Sequence, residues 1–186
     1  MDDNQIIQLY WNRSEDAIAQ TRTKYGAYLS TIAYNILADR EDSEECVGDT
    51  YLKVWNAIPQ DKPSVFSAYI GKIVRNLSLN KYAQHKAQKR GGGAMALLLD
   101  ELEDCLPAAN SVEKQSDLSA VTGAINAFLH VQTAEKRAVF VRRYWYAQSI
   151  NDLVRLTGYS ESKIKSILFR LRGELKTHLE QEGIVL

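Results

Sequence analysis

The chain has 186 residues, of which 45% are hydrophobic and 25% charged, and its formal net charge is zero. This composition is typical of soluble globular proteins and excludes a globally disordered chain, while 10 Gly and 3 Pro argue against a turn-rich β-sandwich or barrel. The longest apolar run, at 94–99, is far shorter than the roughly 20 residues that a membrane span needs. Because the N-terminus is acidic where a secretion signal is basic, we expect a cytoplasmic protein.

Helical periodicity dominates the chain and predicts eight helices. They cover about 4–12, 14–38, 42–58, 64–89, 112–130, 134–146, 149–156 and 160–181, with Ser14 as a plausible N-cap of the second. No segment is predicted to be a strand. The triple glycine at 91–93 and the acidic stretch after it have no sustained period. The predicted fold is therefore all-α, with small helical domains at 1–90 and 112–186 joined by a flexible acidic linker at 91–111.

The third helix has an acidic stripe. Asp42, Glu45 and Asp49 follow helical spacing, so we expect their carboxylates to face solvent and be free to meet a basic partner. Acids near a helix N-terminus also stabilise the helix by a few tenths of a kcal/mol, which is the simpler explanation.

The fourth helix has a basic, amide-rich face and end. Between 72 and 90 there are six bases and no acid. Lysine and arginine suit phosphates, and asparagine can bind base edges, so this segment is a candidate nucleic-acid interface. A solvated basic helix end would give the same pattern, since the helix dipole favours bases there. Both interpretations stay open.

The strongest local motif lies at 149–172. A short helix ends at Gly158, which can take the positive φ of a tight interhelical turn, and Ser160 caps a longer helix with several bases. We expect apolar side chains to pack the two helices together as a helix-turn-helix, whose second helix enters a DNA major groove. These side chains are Leu153, Leu156, Ile164, Ile167, Leu168 and Leu171.

Catalytic interpretations find little support in the sequence. Cys46 and Cys105 are too few for a disulfide framework or a CxxC metal site. His85, His130 and His178 are scattered, and none has a Cys, Asp or Glu partner at ligand spacing. We therefore predict no enzymatic activity, no metal and no cofactor.

Four segments together resemble the extracytoplasmic-function sigma factors, a group of the sigma-70 family. Segment 39–55, DREDSEECVGDTYLKVW, resembles their D-x-E-D-A-E-D-L-V-Q-E-T-F-L-R-A-W helix, and 66–77, FSAYIGKIVRNL, resembles F-x-x-W-L-x-x-I-A-R-N-L. Segment 137–144, RAVFVRRY, resembles R-E-V-F-L-L-R-Y, and 152–172 resembles the helix-turn-helix pattern E-I-A-E-I-L-G-I-S-V-G-T-V-K-S-R-L-S-R-A-R. The chain departs from these patterns at several positions. Val154 stands where the family usually has Ala, Lys163 where it has Thr, Ile167 where it has Arg, and Ala147 where it has Gly.

The resemblance implies a sigma subunit that binds core RNA polymerase and directs it to promoter DNA. The implied polymerase-binding residues are Asp42, Glu45, Asp49 and Lys53. The segment that meets the −10 element would contain Lys72, Arg75, Asn76, Asn80 and Lys81. The −35 element would be bound by Ser160, Glu161, Ser162, Lys163, Lys165, Ser166 and Arg170. Because members of this family are commonly bound by an anti-sigma factor, the resemblance also implies such a factor as a partner.

Two other functions fit parts of the same sequence. A stand-alone helix-turn-helix transcriptional regulator would bind a palindrome unaided as a dimer, and would leave the acidic stripe and linker unexplained. A helical adaptor that touches no nucleic acid fits poorly with the basic run at 72–90. Co-elution with core polymerase would separate the three.

Overall fold

The computed structural model describes residues 1–88, 98, 101–102 and 115–184, and in these ranges all regular structure is α-helical. The all-α prediction is confirmed. The elements are α1 (Asp3–Trp11), α2 (Asp16–Leu37), α3 (Arg40–Ala57), α4 (Phe66–Gln88), α5 (Gln115–Val131), α6 (Ala134–Tyr144), α7 (Ile150–Thr157) and α8 (Glu161–Gln181). The chain divides into two compact units, Met1–Gly93 and Ala94–Leu186. None of the helices within the described ranges is long and apolar enough to cross a membrane.

In the first unit, α2 packs against both α3 and α4, and α1 packs on α2. Each helix buries an apolar stripe of 3-4 spacing, as its sequence predicts. The centre of this core consists of Tyr10, Leu29, Ile32, Val54, Phe66, Ile70 and Val74. Asp39 caps α3 by accepting a hydrogen bond from the Asp42 amide at 2.9 Å. The arrangement places α3 beside α4 with the exposed faces of both at the surface.

The start of α2 differs from the prediction. Its N-cap is Glu15, with no side-chain capping bond, rather than Ser14. Ser14 uses its backbone carbonyl, which accepts from the Ala17 amide at 3.0 Å. The turn between α1 and α2 therefore satisfies the Ala17 amide, in the first turn of α2, with a backbone carbonyl instead of a hydroxyl.

A close approach between α2 and α4 depends on Gly71. A Cβ at this position would lie 2.5 Å from the Tyr28 hydroxyl oxygen. Alanine normally stabilises a helix interior by about 1 kcal/mol relative to glycine. We expect Gly71→Ala to give part of that gain in a Tyr28→Phe background, where the oxygen is gone and the nearest ring carbon is 3.3 Å from the added Cβ, and to be clearly less favourable in the wild type. Urea unfolding of the four variants checks the difference, and equal effects in both backgrounds would contradict it.

In the second unit, α8 packs against α5, α6 and α7. The α7–α8 pair has the predicted helix-turn-helix arrangement. Ser149 and Asp152 form a capping box at α7, Gly158 ends that helix with φ 70°, and Ser160 caps α8 by accepting from the Lys163 amide. Leu153, Ile164, Leu168 and Leu171 are buried, as expected. Leu156 is 56% exposed, so its predicted place in the packing is wrong.

The turn before α7 accommodates one of the departures from the family pattern. Ala147 occupies the position where the related sequences usually have glycine, and it has φ 52°. This left-handed conformation is one that glycine adopts more readily than alanine. Ala147 thus adopts the left-handed backbone conformation at a position where the related sequences usually have glycine.

The predicted linker at 91–111 lies mostly outside the described residues. Leu98, Glu101 and Leu102 are described, are helical and belong to the second compact unit. Leu98 is only 2% exposed. The predicted boundaries at 90 and 112 stay a prediction.

Candidate nucleic-acid interface

The acidic stripe of α3 is not simply a solvated face. The Lys81 ammonium of α4 lies 2.9 Å from Asp42 Oδ1 and 2.6 Å from Glu45 Oε2, and His85 Nδ1 lies 3.4 Å from Asp42 Oδ2. The Asp42 side chain is only 21% exposed. The expectation that all three acids face solvent and are free is therefore wrong for Asp42, whereas Glu45 is 63% exposed as expected but pairs with Lys81. The physical reason is that α3 and α4 pack side by side, which brings a base of one helix onto acids of the other.

Lys81 is held as a cation by this arrangement. Its hydrogen bond to Glu45 is the largest cause that raises the pKa of the ammonium; burial acts in the opposite direction, and the hydrogen bond to Asp42 adds to the increase. Lys81 also lies nine residues beyond Lys72, which places it about 180° around α4. Its ammonium is thus bound to α3 rather than presented with the other predicted −10 contacts.

Three of those contacts share one exposed face of α4. Lys72, Asn76 and Asn80 recur at i, i+4 and i+8, and all three are exposed. Arg75 lies beside them, half-buried, and burial lowers the pKa of its guanidinium. One cation and two amides along a helix face can contact phosphates and base edges.

Asp49 and Lys53 remain exposed on α3. They are four residues apart and therefore occupy one side of the helix. Asp49 and Glu45 are the members of the acidic stripe that keep the exposure that the sequence predicts, and Glu45 is the one that also pairs with Lys81.

In the second unit, all seven predicted −35 residues lie at or near the N-terminal half of α8, and all are exposed. Three of their charges already have intramolecular partners. The Lys163 ammonium lies 3.3 Å from the centre of the Tyr159 ring, and the Lys165 ammonium lies 2.5 Å from Glu161 Oε1. Ser162, Ser166 and Arg170 complete the exposed set. A capped helix with hydroxyl and cationic groups near its N-terminus can approach a phosphate backbone and base edges.

Sequence reasoning missed one charged group at this domain. Arg143 is 5% exposed, and its guanidinium is bound by Glu101. The available signal was the position of Arg143, which shares the buried face of α6 with Val139, Phe140 and Tyr144. A charge on a buried helix face requires a partner of opposite charge.

The fold and these faces define an all-helical protein with a basic, amide-bearing helix in one unit and a helix-turn-helix in the other. Residues 22–88, which span α3, α4 and most of α2, match the family model of sigma-70 region 2. This part of the chain is therefore similar to sigma-70 region 2, in agreement with the resemblance of segments 39–55 and 66–77.

No curated protein matches the chain significantly. Among solved structures, the chain is similar to one described as CnrH in complex with the cytosolic domain of CnrY. The sequence identity is 18% and the TM-score is 0.45, over 96% of this chain and 97% of that chain.

Proposed function

We propose that the chain is a sigma factor of the extracytoplasmic-function group, which binds core RNA polymerase and directs it to promoters. The observation that carries the proposal is the region 2 match at 22–88, because it contains both the acidic face of α3 and the basic face of α4. The helix-turn-helix of the second unit supplies a second DNA-binding element in the order that a two-element promoter requires.

The residues divide this function between the two units. In the first, exposed Glu45, Asp49 and Lys53 of α3 would meet polymerase, and Lys72, Asn76 and Asn80 of α4 would meet the −10 element. In the second, the N-terminal half of α8 would enter the major groove at the −35 element. These roles use binding alone, and no catalytic step is assigned to the chain. An anti-sigma factor stays a prediction of the sequence resemblance.

Run-off transcription on genomic fragments, with and without added core polymerase, tests the proposal. A sigma factor gives discrete transcripts only with both proteins present, and it co-elutes with core polymerase. A stand-alone regulator would bind DNA without polymerase, and an adaptor would bind no DNA in either condition. Either of those results would overturn the proposal.

A further inference from the structure

The buried guanidinium of Arg143 in the second unit pairs with the carboxylate of Glu101, which precedes α5 in the chain. In Arg143, Nη2 lies 2.5 Å from Glu101 Oε1, and Nε lies 3.3 Å from Glu101 Oε2. Nη1 donates to the Gln148 carbonyl at 2.9 Å. All three guanidinium nitrogens therefore have acceptors, and all three acceptor atoms lie outside α6.

The same carboxylate also reaches the DNA-binding helix. The Tyr144 hydroxyl donates to Glu101 Oε2 at 2.9 Å and accepts from Arg172 Nη1 at 2.7 Å. Arg172 Nη1 itself lies 3.6 Å from Glu101 Oε2. One carboxylate thus joins α6 to α8, and Leu98, one helical turn before it, is buried.

The charge state of Glu101 suits this arrangement. Burial opposes ionisation, but the hydrogen bonds and charges of Arg143, with help from Tyr144 and Arg172, lower the pKa of the carboxyl overall. Glu101 is therefore an anion at neutral pH. Removing one partner of a buried ion pair leaves the other as an uncompensated charge, which is strongly destabilising.

We infer that Glu101 is a positioning residue of the helix-turn-helix, which fixes α6 against α8 and orients Arg172 for DNA. On this inference the DNA-binding domain begins at or before Leu98 instead of at 112. Arg172 lies seven residues beyond Lys165, two turns along the same side of α8. The DNA part of the inference rests on the proposed function, whereas the packing part does not.

Hydrogen exchange in the full-length chain tests the packing part. Glu101→Gln keeps the shape of the side chain but removes its charge. We expect amides of α6 and α8 to exchange about tenfold faster or more in this variant, because Arg143 loses its counter-charge. The control Glu103→Gln removes an equal charge from the same acidic stretch and should leave exchange unchanged. Unchanged exchange in Glu101→Gln, or an equal effect of Glu103→Gln, would overturn the inference.

Promoter binding by the holoenzyme tests the orientation of Arg172. We expect Glu101→Gln to weaken binding to a promoter with an intact −35 element by about tenfold. Arg172→Ala should add little in that background, because both changes remove the same interaction of Arg172 with DNA. Additive losses would show that Glu101 does not act through Arg172.

Tyr144→Phe provides a milder test that leaves no buried charge. It removes the hydroxyl between Glu101 and Arg172, so it should weaken −35-dependent binding several-fold and also be non-additive with Arg172→Ala. Full additivity would count against the orientation of Arg172 even if Glu101→Gln fails to fold. A wild-type holoenzyme that binds equally with an intact or scrambled −35 element would instead overturn the proposed function, while the exchange experiment would still judge the packing.

Discussion

Reversal of Glu45 and Asp49 to lysine is expected to weaken the binding of core RNA polymerase by about 3 kcal/mol, because attraction to a basic surface becomes repulsion. Both side chains are exposed on α3, in the region that matches sigma-70 region 2. Titration of labelled protein with core polymerase measures the change in affinity.

The two reversals differ in their effect on the fold. Glu45 accepts a hydrogen bond from Lys81, so a lysine at 45 would oppose a lysine across the α3–α4 interface. Because the Glu45 carboxylate is 63% exposed and Lys81 keeps Asp42 as a second partner, the loss of stability should be modest, below roughly 1 kcal/mol. Asp49→Lys alone is therefore the more specific test, because it reverses a charge on the exposed face of α3 without replacing a carboxylate that pairs with Lys81.

Glu44→Lys is the matched control for Asp49→Lys. Glu44 lies on the same helix and is exposed, but it is five residues from Asp49 and so points to a different side. We expect this equal change of charge to alter polymerase affinity much less. If folded Asp49→Lys binds polymerase with native affinity, or if Glu44→Lys weakens binding equally, the acidic face is not the polymerase contact.

The helices and the helix-turn-helix could be predicted because their signals are local. Periodic apolar residues define the buried faces, while Gly158 and Ser160 define the turn and the start of α8 by their own backbone and capping chemistry. Each of these features depends on residues within about one helical turn. The family match at 22–88 then agrees with the motifs that the sequence displays at 39–55 and 66–77.

The charge pairs could not be predicted in the same way because they depend on packing. Lys81 is 36 residues from Glu45, and Arg143 is 42 residues from Glu101. Only the packing of the helices decides whether such side chains meet. Sequence reasoning therefore assigned Lys81 to DNA and the acids to a partner, whereas the structure joins them to one another.

Leu156 illustrates a third limit. It has helical spacing suited to the interface between α7 and α8, yet α7 has only eight residues and one fully buried side chain, Leu153. Because a short helix buries only a narrow stripe of its surface, helical spacing alone predicts more buried leucines than the helix contains.

The final prediction concerns how α8 distinguishes DNA sequences. Arg170→Ala and Lys163→Ala should each cost ~1–3 kcal/mol on the preferred −35 sequence and little on other sequences, because their groups would contact base edges. The two residues are seven apart and lie on one exposed side of the helix. Lys163 must exchange its contact with the Tyr159 ring for one with DNA, so we expect its loss to be the smaller.

Lys165 should behave differently because it lies on another side of α8 from Arg170, where its ammonium would leave Glu161 to contact a flanking phosphate. We expect Lys165→Ala to weaken binding on every sequence and to lower the salt slope by about one unit, as loss of a phosphate contact does. Lys176→Ala, which removes an exposed charge farther along α8, is the control and should change neither quantity. All measurements belong in the holoenzyme, where both promoter elements contribute to affinity. If Arg170→Ala and Lys163→Ala both leave −35 preference unchanged there, a different face of α8 meets the DNA.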